Sequence, residues 1–162
     1  MTEQADQAEA RRWSEQLRAL PSQVRAELDA ADAQTLRQRP APGEWSAIEV
    51  LGHLVDKMQV WRERVEQVAR EERPFLASYD QDARVREQGY QSAEVHELLT
   101  LLRQACERFA RTVEALPETA LAREGIHEET GPITLEQCVR VPVASADDHL
   151  AQMRAAIANA NR

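Results

Sequence analysis

The sequence predicts an all-α protein folded as a four-helix bundle, with a long connection between helices two and three. Three observations carry that expectation. The 162 residues are 43% hydrophobic and 30% charged with only 5 Gly, which suits long helices and is short of the turn glycines that sheets need. Apolar residues recur at intervals of three and four along four segments. Two of those segments start with the same grammar, a hydroxyl residue followed three positions later by Glu or Gln. The length predicts a single domain over residues 1–162.

The first helix carries Trp13, Leu17, Leu20, Val24 and Leu28 on one face, and Pro21 inside it predicts a kink or a break. Residues 39–44 (RPAPGE) hold two prolines and a glycine and read as a turn. The second helix has a sharp start: Ser46 as N-cap, Glu49 completing a capping box, and Trp45 with Val50 placed for a hydrophobic staple. Its apolar face runs through Leu51, Leu54, Val55, Met58, Trp61, Val65 and Val68 and is predicted to end near Arg70. Residues 71–91 lack periodicity and read as a long connection with a short helical piece, which suits a crossover.

The third helix is predicted after Ser92, with Val95, Leu98, Leu99, Leu102, Cys106, Phe109, Val113 and Leu116 as its stripe and Pro117 as its stop. Residues 118–132 read as a loop containing Gly125 and Gly131. The fourth helix repeats the grammar of the second, with Thr134 as N-cap, Gln137 completing the box, and Ile133 with Cys138 as the staple. Pro142 is placed to bend it.

The formal charge of −8 disfavours a phosphate backbone as partner, and Arg is scattered among Glu and Asp without a basic patch, so no nucleic acid is expected. The opening MTEQADQAEARRW lacks the apolar core of a signal peptide. No run of 18 apolar residues exists, so no membrane partner is expected and a reduced cytoplasmic setting is. Cys106 and Cys138 show no CxxC spacing, lie on apolar stripes and read as core thiols.

Four histidines are the candidates for chemistry. His53 on the second helix and His149 on the fourth each project inward or nearly so, and two bundle helices each contributing an imidazole are the start of a metal site. A catalytic zinc site takes three protein ligands. The position one turn before His149 is Ser145, a poor ligand. Asp56 is the best-aimed carboxylate, either as a ligand or as a partner that orients His53. His96 beside Leu99 reads as facing a groove or solvent, and His127 in GIHEETG as a solvated loop residue. Glycine-rich phosphate loops, G-x-S-x-G and HExxH are absent.

PGEWSAIEVLGHLVD, PITLEQ and SADDHLAQM together resemble the DinB/YfiT-like superfamily. The resemblance implies a four-helix bundle, often dimeric, with a divalent metal (Zn or Ni here) held by one histidine of the second helix and an H-x-x-x-H pair of the last. It implies His53 and His149 as metal ligands, with Ser145 in the usual histidine position. Some relatives resemble transferases or isomerases that use low-molecular-weight thiols.

Three functional readings follow. The first is a divalent-metal-dependent enzyme, a thiol-dependent transferase or a hydrolase, with an incomplete histidine triad and Asp56 or water completing the shell. The second is a metal-free bundle that binds a small molecule or a protein partner. The third is an assembly role through an exposed helix face carrying Trp13 and Trp61. A homodimer is expected from the resemblance.

Overall fold

The computed structural model describes residues 2–160. In chain order it contains α1 (Thr2–Leu28), α2 (Ala33–Arg37), α3 (Ala47–Arg70), β1 (Phe75–Leu76), α4 (Gln81–Gln88), α5 (Val95–Glu114), β2 (Glu124–His127), β3 (Gly131–Thr134), α6 (Leu135–Ala144) and α7 (Ala146–Asn159). The four expected segments are there: α1, α3, α5, and α6 continued by α7. α1 packs along α5, and α3 packs against α5, α6 and α7. The stripes meet in a core that includes Leu17, Leu20, Leu54, Met58, Leu102, Phe109 and Met153.

Both sequence-read helix starts form. Ser46 Oγ accepts from the Glu49 amide, and the Glu49 carboxylate accepts from the Ser46 amide at 2.9 Å. Thr134 and Gln137 make the same exchange at the start of α6. The first box is reinforced: Arg39 donates to both Glu49 oxygens, at 2.6 and 3.0 Å, which ties the proline-rich turn to α3.

α3 is the central helix. Every residue from Ser46 to Met58 is buried, including Glu49, His53, Asp56 and Lys57. A helix wrapped on all sides has no solvated face, so each of these polar side chains needs a partner inside the protein.

Several elements differ from the sequence reading. Pro21 does not divide α1, which runs on as one element. Leu17, Leu20 and Val24, buried on either side of it, hold the flanking turns in place and offset the lost backbone bond. The fourth helix, by contrast, is divided at Ser145, three residues after Pro142. The connection after α3 does hold the expected short helical piece, α4, capped by Asp80 and closed by Gly89 in the left-handed conformation (φ 66°). α5 begins at Val95, after Ser92 as expected.

The stretch 118–132, read as a loop, contains most of a small three-stranded sheet. β2 pairs antiparallel with β3 and parallel with β1, with Phe75 opposite Ile126 and Leu76 opposite His127. Strands of two to four residues are too short to display alternation, so periodicity misses them. The sheet fixes the exit of α3 to the entry of α6. His127 is accordingly buried, not solvated, and its ring lies parallel to Trp61 with centres 6.3 Å apart.

Candidate functional site

The capping box sets where His53 sits. With α3 pinned at Ser46, His53 falls one turn beyond Glu49, and only 1% of it is exposed. Its ring is held between two others. Trp45 lies 4.8 Å away on one side, and His149 of α7 meets it edge to face at 4.9 Å, with an angle of 67° between the planes. His53 Nε2 is buried without a hydrogen-bond partner. The structure therefore brings His53 and His149 together from two helices far apart in sequence.

His149 is saturated at both ring nitrogens. Nδ1 lies 3.2 Å from Gln152 Oε1 and Nε2 lies 3.2 Å from Lys57 Nζ. An amide oxygen can only accept and an ammonium can only donate. The proton is thus assigned to Nδ1, and the Nε2 lone pair accepts from Lys57. Lys57 is one turn after His53 on α3 and is itself buried.

Burial dominates the electrostatics here. It pushes the His53 imidazole down to about 3, helped by the positive charge that His149 and Lys57 carry when protonated. Burial also lowers His149, with Lys57 adding to the effect and Gln152 and Asp148 opposing it. The Lys57 ammonium is lowered by burial and supported by Asp148. Both imidazoles are neutral near pH 7.

The third-ligand candidates are engaged elsewhere. Asp56 Oδ1 accepts from Tyr90 Oη at 2.8 Å and faces Arg84 at 3.5 Å, while Oδ2 is buried without a partner. Burial raises the Asp56 carboxyl against the pull of Tyr90 and Arg84. Ser145 Oγ donates to the Pro142 carbonyl. Among the described residues no three His, Cys, Asp or Glu side chains are arranged to hold one metal ion.

The fit to a divalent ion is partial. A metal bound through an imidazole nitrogen stands about 3 Å from the ring centre, so two ligands on one tetrahedral ion have centres about 5 Å apart. The observed 4.9 Å meets that condition. The donor set does not: two imidazoles fall short of three ligands, and an ammonium occupies the lone pair that His149 would use. As they stand, these residues do not fit a resident divalent ion.

His96 is exposed on α5, away from this cluster. Cys106 and Cys138 are buried free thiols. Trp13 is in the core and Trp61 is half-buried with Arg64 over its face at 4.5 Å. Reading the sequence for ligand types passes over Lys57, although its place one turn after His53 puts it on the same face. Tyr90, which buttresses Asp56, carries no signal in an aperiodic segment. A cleft of about 440 Å³ lies on the far side of Trp45 and Gln152 from the pair and is lined by neither histidine. Its walls include Trp45 and Gln152, the residues that touch the two histidines, together with Glu44 and Asp82.

A family model of the DinB superfamily matches residues 16–153 of the chain. The fold is similar to a solved structure from Bacillus subtilis, YfiT, described as "a probable metal-dependent hydrolase with an unusual four-helix bundle topology". The TM-score is 0.83 and the identity 22%, over 91% of this chain and 85% of that one, a likeness of fold. No curated protein matches the chain. No described helix is long and apolar enough to cross a membrane.

Proposed function

The chain belongs to the DinB superfamily, and from that premise we propose that residues 1–162 are a single DinB-like domain that binds a small molecule without a resident metal ion. The observation that carries this reading is the contact between Lys57 Nζ and His149 Nε2 at 3.2 Å. A positive group on that lone pair keeps a second cation off it. His53 and His149 then act as neutral polar groups behind the cleft, with Trp45 and Gln152 between them and the ligand. A cytoplasmic homodimer belongs to the same reading, on the resemblance to the family alone.

Protein purified without a histidine tag is expected to carry no stoichiometric zinc or nickel. Its melting temperature is expected to be unchanged by a chelator. A clear fall with chelator overturns the reading, because a bound metal stabilises the native state by mass action.

A second reading rests on His53 Nε2, which is buried and unpartnered. In it the chain is a divalent-metal-dependent enzyme, a hydrolase or a thiol-dependent transferase, with His53 and His149 as ligands to Zn or Ni and Asp56 as the third candidate. It requires Lys57 to leave His149, and Asp56 to leave Tyr90 and Arg84. Stoichiometric metal that disappears in His53→Ala is its signature.

A further inference from the structure

We propose that Lys57 is a built-in lock on the histidine pair: its side-chain nitrogen holds the His149 lone pair, and its removal converts the pair into a binding site for a borderline divalent ion such as nickel or zinc. The proposal rests on the metal-free reading above and goes beyond it, because it gives Lys57 an active part in excluding metal from a pair that also lacks a third protein ligand.

Two independent observations support it. The ring centres are spaced as those of two ligands on one ion, at 4.9 Å, which brings both imidazoles within reach of a shared ion. His53 Nε2 is buried with no hydrogen-bond partner, so no protein group competes with an ion for it. The other donor is blocked by a single contact, Lys57 Nζ to His149 Nε2. The remaining His149 nitrogen is bonded to Gln152 Oε1, the kind of outer contact that fixes the tautomer of a ligating imidazole and leaves Nε2 to face the ion.

The blocking group acts by position and charge. Lys57 reaches His149 from one turn beyond His53 on the same helix, so its nitrogen stands beside both rings. An ion placed on His149 Nε2 would have to displace it, and would stand beside a positive charge held in a buried site. Ser145, at the family's third histidine position, gives no compensating ligand because its hydroxyl is turned back to Pro142.

The test is nickel binding by equilibrium dialysis on the tag-free full chain. It compares wild type with Lys57→Met, Lys57→Gln and the double variant Lys57→Met/His53→Ala, with circular dichroism melts to establish that each is folded. Lys57→Met and Lys57→Gln are expected to bind nickel at least about tenfold more tightly than wild type, the scale on which groups around a metal ligand change affinity. The double variant is expected to lose that gain. If neither single variant binds more tightly than wild type, the lock is overturned while the metal-free reading stands. If wild type itself holds one equivalent of nickel as tightly as the variants, both fall. If wild type binds and Lys57→Met loses the metal, Lys57 is a ligand and both fall.

Discussion

The imidazoles of His53 and His149 meet edge to face, 4.9 Å apart, in a protein where α3 is buried on every side around them. No carboxylate balances a charge on His53, Asp148 only partly offsets one on His149, and Lys57 stands beside both. Protonating either one is therefore opposed first by burial and then by a neighbouring positive group.

That opposition makes the pair acid-sensitive. His53 has a folded value near 3 against an ordinary value of 6.5, so the unfolded chain takes the proton first. Its contribution to stability is complete above pH 6.5 and is lost as the pH falls towards the folded value. At pH 5 the loss is roughly 2 kcal/mol for this one group. Urea unfolding at pH 7, 6 and 5 is expected to show that slope in wild type and a shallower one in His53→Leu. Equal slopes would mean that His53 is not the depressed group.

Gly52 and Tyr90 are a matched pair. A Cβ on Gly52 would overlap the Tyr90 ring, which crosses α3 there to bring its hydroxyl to Asp56. Alanine is the better helix former by about 1 kcal/mol, yet the overlap decides the sign, and Gly52→Ala is expected to destabilise by about 1–3 kcal/mol. Tyr90→Phe keeps the ring and removes the bond to Asp56, and is expected to cost about 1–2 kcal/mol. In a Tyr90→Ala background the Gly52→Ala penalty is expected to vanish, since only the helix preference remains. Thermal melts of the four proteins close that cycle.

Much of the bundle is legible in the sequence because helix starts and stripes are local. Ser46 with Glu49 and Thr134 with Gln137 satisfy backbone amides within four residues, so spacing alone reveals them. The sheet is not legible, because β1 reaches its partner β2 across about fifty residues and neither strand is long enough to alternate. The pairing of His53 with His149 follows from both falling on inward faces. Spacing places Lys57 on the face of His53 but gives it no role, for a chemical reason: a lysine one turn from a histidine is ordinarily a solvated side chain, and only the burial of α3 on all sides turns it inward.

Glu49 gives a second acid-sensitive contact with a different window. Burial alone would raise its carboxyl, but Arg39 and the Ser46 amide outweigh that and hold it below its ordinary 4.5. A depressed carboxyl stabilises the fold above its unfolded value, and that share is lost as the pH falls through the folded one. Glu49→Gln is expected to cost about 1–3 kcal/mol at pH 7, since it leaves Arg39 and half the capping box without a charge partner. The cost is expected to shrink below about pH 4. A cost that is constant from pH 7 to pH 3 would contradict the assignment.

The two thiols separate the chain's own chemistry from that of any thiol it uses. Cys106 is fully buried on α5 and burial pushes it up to about 12; Cys138 is fully buried on α6 and is pushed up to about 11, with Arg64 only partly opposing. The thiolate is the reactive form, so neither side chain is a nucleophile near pH 7 in the folded protein. A disulfide-exchange reagent at pH 8 is expected to titrate no thiol in the native protein on the timescale of minutes, and both once the chain is unfolded. A rapid native equivalent would place one cysteine within reach of solvent. With both silent, any thiol-dependent reaction of this bundle must draw its thiol from a bound small molecule, which directs the search for ligands to the cleft walled by Trp45 and Gln152.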